Sequence, residues 1–166
     1  MIWIGIDPGT PLTVVVLSSD GATILDVFDG ERVATFERKA GRKNASPQND
    51  PVLLAACLRP YAALSARVVL ERVSPMPGQG ISSTTRFVGS MYLAHGVAAG
   101  LGLSVTRVTP AVWKRDLQLS SDKERSRAAA LRQWPDRADL FRRKKDHDRA
   151  EAALMALWAI RQASAA

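Results

Sequence analysis

Residues 1–29, MIWIGIDPGTPLTVVVLSSDGATILDVFD, hold three β-rich apolar runs in succession. They cover residues 1–7, 12–19 and 23–29, and the third follows the turn signal Ser19-Asp20-Gly21. Connections this short join antiparallel neighbours, so three consecutive strands are expected, with a short extra one around residues 32–37. Residues 40–50 turn to Gly, Lys, Asn, Ser and Pro and read as an exposed loop. Beyond them the pattern alternates. A helix is predicted over 51–65, a Val-rich strand over 67–71, a helix over 83–100 with apolar residues at Phe87, Met91, Leu93, Ala94 and Val97, and a strand over 103–108. Helices over 111–117, 121–134 and 146–163 close the chain, the last with a stripe at Ala150, Leu154, Leu157 and Trp158. Strands first, then strand and helix in alternation, imply one α/β domain over residues 1–166, a mixed sheet covered by helices.

Composition narrows the function. The 166 residues carry 23 Lys+Arg against 16 Asp+Glu, and the excess is local: residues 107–149 sum to +6, while the segments before and after sum to +1 and 0. Such a surface favours a polyanion such as nucleic acid. One cysteine, Cys57, and two histidines, His95 and His147, give no zinc-ligand cluster, so a metal here is held by carboxylates. The N-terminus lacks a basic leader, and no apolar stretch reaches membrane-spanning length, so a cytoplasmic protein with no membrane partner is expected.

The acids stand at the ends of elements. Asp7 directly follows the first apolar run and precedes Pro8-Gly9, although Asp-Pro-Gly is also a good turn sequence by propensity alone. Glu71 ends the run Val68-Val69-Leu70, where an acid must emerge at the sheet edge or pair with Arg67 or Arg72. The third set is Asp146-His147-Asp148-Arg149-Ala150-Glu151. At about 100° per residue Asp148 and Glu151 lie about 60° apart on one helix face. Capping accounts for Asp146 and Asp148, but not for Glu151, which sits where the helix turns apolar. Hard oxygen ligands of this kind select Mg²⁺, with Mn²⁺ as a substitute, and two such ions suit in-line phosphodiester hydrolysis.

With these residues in hand, the chain resembles a known family. Gly5-Ile6-Asp7-Pro8-Gly9, Leu70-Glu71, the loop Met76-Pro77-Gly78-Gln79-Gly80, the block Thr109-Pro110-Ala111-Val112-Trp113-Lys114, Lys123, and the C-terminal set from Asp146 to Ala152 are similar, in order and separation, to the RuvC-type Holliday-junction resolvases, nearest to their short phage-encoded branch. The resemblance implies an RNase H-like fold, a homodimer, and Mg²⁺-dependent cutting of four-way DNA junctions with Asp7, Glu71 and the C-terminal acids as catalytic metal ligands. Asp146 and Asp148 both stand as partners for Glu151, since Asp146 could fold back from the turn before the helix. His147 either assists or caps.

The DNA-facing set is expected to include Lys114, Arg115, Lys123, Arg142, Arg143, Lys144 and Lys145, with Met76 and Gln79 reaching the open centre of a junction. Trp3, Trp134 and Trp158 are expected in the core, whereas Trp113 could pack under a basic ridge. Two other readings share features with this one. Gly5-Ile6-Asp7-Pro8-Gly9-Thr10 also resembles the first hairpin of the actin-like and sugar-kinase ATPases, whose two-domain chains are roughly twice as long. The other is a catalytically inert DNA-binding protein whose acids serve turns and caps.

Overall fold

The computed structural model describes residues 1–38, 45–75, 78 and 80–165. A five-stranded sheet is built around the first apolar run, β1 (Trp3–Asp7), which pairs antiparallel with β2 (Thr13–Leu17) on one side. On its other side β1 pairs parallel with β6 (Arg67–Glu71). β3 (Ile24–Phe28) and β7 (Ser104–Val108) complete the order β3-β2-β1-β6-β7. The three antiparallel strands and the two parallel additions are those anticipated from the spacing of the runs.

Side chains alternate across a strand, and here that parity sorts the core into two layers. Ile4, Ile6, Val14, Val16, Val68 and Leu70 face helices α1 (Pro51–Ala62) and α2 (Ile81–Gly100), meeting Leu54, Leu58, Met91, Ala94 and Ala98. Trp3, Val15, Leu17 and Val69 face the opposite way, onto α5 (His147–Ala165), with α3 (Pro110–Asp116) and α4 (Lys123–Gln133) packed beside it. A fully buried Val, Leu or Ile contributes about 1.5–3 kcal/mol, so the two layers carry most of the stability. Asp7 and Glu71 have the parity of Trp3 and Val69, which turns both acids toward the side of the sheet that α5 covers.

Local chemistry sets the helix starts. Asp50 caps α1, accepting from the backbone N–H groups of Val52 and Leu53 at 2.8 and 3.2 Å, and Pro51 supplies the first turn. Asp122 does the same for α4 through Glu124 N at 2.9 Å. α5 is apolar all round rather than striped, with Ala150 to Leu157 buried without a break, because sheet and helices enclose it.

Two expectations need correction. Residues 46–49, read as loop, form β5 (Ser46–Asn49), which pairs antiparallel with β4 (Ala34–Glu37) in a separate two-stranded sheet. Ser-Pro-Gln-Asn has little strand preference, and tertiary bonds hold it in place. Asn49 donates to Gly9 O at 2.9 Å and to Ser90 Oγ at 2.6 Å and accepts from Leu12 N at 2.9 Å, and Asp50 N donates to Val33 O. Phe87, placed on the apolar stripe of its helix, is exposed, and Met91, Ala94 and Ala98 fill that side of the core instead.

β1 and α5 touch through backbone at Gly5. A Cβ there would stand 1.9 Å from the carbonyl oxygen of Ala152 and 3.2 Å from Ala156 Cβ. Gly5→Ala therefore forces α5 off the sheet, and urea unfolding should show a loss of about 3 kcal/mol or more. An unchanged unfolding midpoint would contradict the close approach.

Candidate active site

Three elements deliver acids to one edge of the sheet. β1 and β6 are parallel neighbours, so their last residues, Asp7 and Glu71, arrive at the same end. The first turns of α5 reach that end with Asp148 and Glu151, three residues apart on one face. Asp7, Asp148 and Glu151 each bring a carboxylate oxygen within 4.8 Å of the others. Glu71 stands beside them and accepts a hydrogen bond from the indole Nε1 of Trp113 at 3.1 Å.

Burial and mutual repulsion load this cluster. Burial, then the charges of Glu71, Asp148 and Glu151, hold the Asp7 carboxyl well above its ordinary range, against the pull of Lys123. Glu71 is also raised, first by burial and further by Glu151, while the Trp113 bond and the lysines oppose the shift. Two lysines lie on the other acids. Lys114 Nζ is 2.6 Å from Glu151 Oε1, an oxygen that also accepts from Ser126 Oγ at 3.2 Å, and Lys123 Nζ is 3.3 Å from Asp148 Oδ1. The neighbouring carboxylates of Asp148, Glu151 and Asp7 outweigh burial and raise the Lys123 ammonium above its usual value.

Asp146 is not among the converging acids. It is buried in a 3-10 turn before α5, where its carboxylate accepts from Arg143 N at 2.8 Å and Arg143 Nη2 at 2.9 Å, with Arg149 Nη1 at 3.7 Å. Arg149 in turn pairs with Asp29 at 2.5 Å. Burial pushes the Asp146 carboxyl up, but these bonds hold it below its usual range. The folded-back geometry is thus directed to arginines, and helical phase is what brings Asp148 to Glu151. His147 Nδ1 is 2.5 Å from Asp148 Oδ1 and 3.2 Å from Lys123 Nζ, beside the cluster rather than in it.

The basic residues divide. Arg115, Arg142, Lys144 and Lys145 are exposed, and Lys123 is half-exposed at the acids. Arg143 is exposed in part but committed to Asp146, and Lys114 is 12 % exposed and turned inward onto Glu151. Met76 and Gln79 lie outside the described residues. Trp113 is fully buried with its donor on Glu71, a contact that no spacing rule announces. Trp3 and Trp134 are core residues, while Trp158 is partly exposed and donates to Asp116 at 2.9 Å.

Two acids should respond to neutralisation with opposite signs. A carboxyl whose folded pKa stands above its unfolded value costs stability once the pH has passed the folded value, and none below the unfolded one. Asp7→Asn should therefore raise the melting temperature in EDTA at neutral pH, by about 2–4 °C for each kcal/mol relieved. Asp146, held below its ordinary range, stabilises above its unfolded value and loses that contribution as the pH falls through the folded one. Asp146→Asn should cost about 1–3 kcal/mol at neutral pH by weakening charge-assisted bonds. Calorimetry of both variants in EDTA checks the pair, and a destabilised Asp7→Asn would contradict the repulsive cluster.

No family model matches the chain. In an alignment 114 residues long that covers 64% of this chain, it is 32% identical to the chloroplastic Holliday junction resolvase MOC1 of Chlamydomonas reinhardtii, and the match spans 13% of that protein. Its structure aligns with T. thermophilus RuvC solved in complex with a Holliday junction substrate, with TM-score 0.67, 17% identity, and coverage of 99% of this chain and 96% of that one. A second Thermus thermophilus RuvC structure aligns with TM-score 0.56 and 16% identity over 99% of this chain and 97% of the other. The chain has the RuvC fold, and RuvC-type Holliday junction resolvases are the family it resembles in both sequence and structure.

Proposed function

We propose that the chain is a divalent-metal-dependent endodeoxyribonuclease that resolves four-way DNA junctions as a homodimer. The observation that carries the reading is the convergence of Asp7, Asp148 and Glu151 at one sheet edge, with Glu71 beside them, in a basic chain with this fold. The donor set fits the ion: hard carboxylate oxygens close enough to repel one another are what Mg²⁺ or Mn²⁺ relieves. Asp7, Glu71, Asp148 and Glu151 would hold it. Ions of this class, when bound in pairs, stabilise both the attacking and the leaving oxygen of an in-line phosphodiester displacement.

The chain's own groups do the rest. Lys123, half-exposed beside Asp148, is within reach of a phosphate brought to the acids. Arg115, Arg142, Lys144 and Lys145 extend a basic surface outward, and phosphate contacts of that kind make affinity fall steeply with salt. Asp146 acts on the other side of the site, fixing the turn from which α5 starts. For the dimer, α2 offers an open face away from the sheet: Tyr92 is exposed there, and Gly89 and Gly96, on the same side of the helix, have nothing within 4 Å of where a Cβ would stand. A second copy packed there would carry a second set of acids, and paired cuts need two.

The test is a cleavage assay on a four-way junction and on linear duplex of the same sequence, with Mg²⁺ and with EDTA. Mg²⁺-dependent paired nicks in the junction alone are expected. Asp7→Asn and Glu151→Gln should lose cutting and keep junction binding, whereas Asp146→Asn should cut at temperatures where it stays folded. Binding without cutting by the wild-type chain would leave a DNA-binding protein, and cutting by Asp7→Asn would reject the metal set. Sedimentation should give a dimer for the wild type and a monomer for Tyr92→Glu.

A further inference from the structure

Among the partners of the acidic cluster two donors are neutral: the Ser126 hydroxyl, which shares Glu151 Oε1 with Lys114, and the Trp113 indole, which has Glu71 to itself. The lysines beside Glu151 and Asp148 carry charge, so any cation entering the cluster meets them as competitors. Trp113 carries none. Its indole is a donor only, fully buried, and its hydrogen-bond partner is Glu71 Oε1 at 3.1 Å. A bond of this type can persist while the other oxygen of the same carboxylate binds a cation.

We propose that Trp113 is a positioning residue for Glu71, its indole N–H fixing the carboxylate in the orientation that a divalent cation requires. The inference rests on the reading that the acidic cluster holds such a cation. Backbone geometry makes the contact rigid from both ends. In the parallel pairing of β6 and β7, Glu71 lies opposite Val108, and Arg72 N donates to Val108 O at 2.7 Å. The chain leaves Val108 for Thr109 and enters α3 at Pro110, so the side chain of Trp113, one turn along, returns to the strand end it has just left. Lys114, the next residue, reaches Glu151, and its Nζ lies 5.1 Å from the centre of the Trp113 ring. Successive residues of one short helix thus hold acids from two different elements. Groups that orient metal-binding carboxylates commonly change metal affinity by about 10- to 100-fold when removed.

Mn²⁺ binding without DNA, followed by the electron paramagnetic resonance signal of the free ion, tests this in four proteins: wild type, Trp113→Phe, Glu71→Ala and the double variant. Trp113→Phe keeps an aromatic ring and removes the donor. It should weaken Mn²⁺ binding by about 10-fold or more in the wild-type background and add nothing to Glu71→Ala. Equal weakening in both backgrounds would assign Trp113 a general packing role, and unchanged affinity would also overturn the proposal. If Trp113→Phe does not fold, the indole N–H resonance of wild-type Trp113 reads the same contact. It should stay in its hydrogen-bonded downfield position at saturating Mg²⁺, and an upfield move on metal binding would overturn the assignment. A wild-type chain that binds no Mn²⁺ rejects the metal reading itself. A positive cycle in a chain that cuts no junction keeps Trp113 and rejects the junction.

Discussion

Everything at the acidic end depends on how closely α5 lies against β1. With no side chain at Gly5, the helix backbone at Ala152 comes to the strand, and a single methyl group would prevent it. That contact is one residue from Glu151 and two from Asp7. The same approach that closes the core therefore brings two of the acids to within a few ångströms. Spacing along the helix then adds Asp148, and the parallel pairing of β1 with β6 adds Glu71. The site is a consequence of the packing geometry, because small residues on facing elements let charged ones meet beyond them.

How the carboxylates are balanced divides their neighbours into two kinds. Lys114 and Lys123 offset charge, and each stands on an acid at the head of α5. Trp113 offsets none and orients instead. The arginine pairs of Asp146 form a separate network that reaches Asp29, just past the end of the edge strand β3. Two acids two positions apart, Asp146 and Asp148, thus belong to different systems, one anchoring the helix start and the other facing the cluster.

The sheet was legible because its strands are short apolar runs with turn signals between them, and Asp7 and Glu71 stood out because each directly ends such a run. Helical phase paired Asp148 with Glu151, whereas the turn before α5 left Asp146 undecided: a carboxylate on a turn can point several ways, and the guanidinium groups that claim it are brought by tertiary structure. β5 was illegible for a similar reason. Ser-Pro-Gln-Asn becomes a strand through Asn49, whose partners Gly9, Leu12 and Ser90 lie far away in sequence. Lys114 read as a surface cation because a charge run has no inside or outside until a helix is placed. Trp113 read as core or ridge, and its buried indole N–H gave no sign of which acceptor it would find.

The covering of β1 by α5 also orders events during synthesis. The central strand of the sheet leaves the ribosome about 140 residues ahead of the helix that shields one face of it. Ties such as Arg149 to Asp29, 120 residues apart, form only then. Until that point Trp3, Val15 and Leu17 present an uncovered apolar face, and non-local closure of this kind is slow and exposed to aggregation. Shortening α5 would leave that same face open in the finished chain.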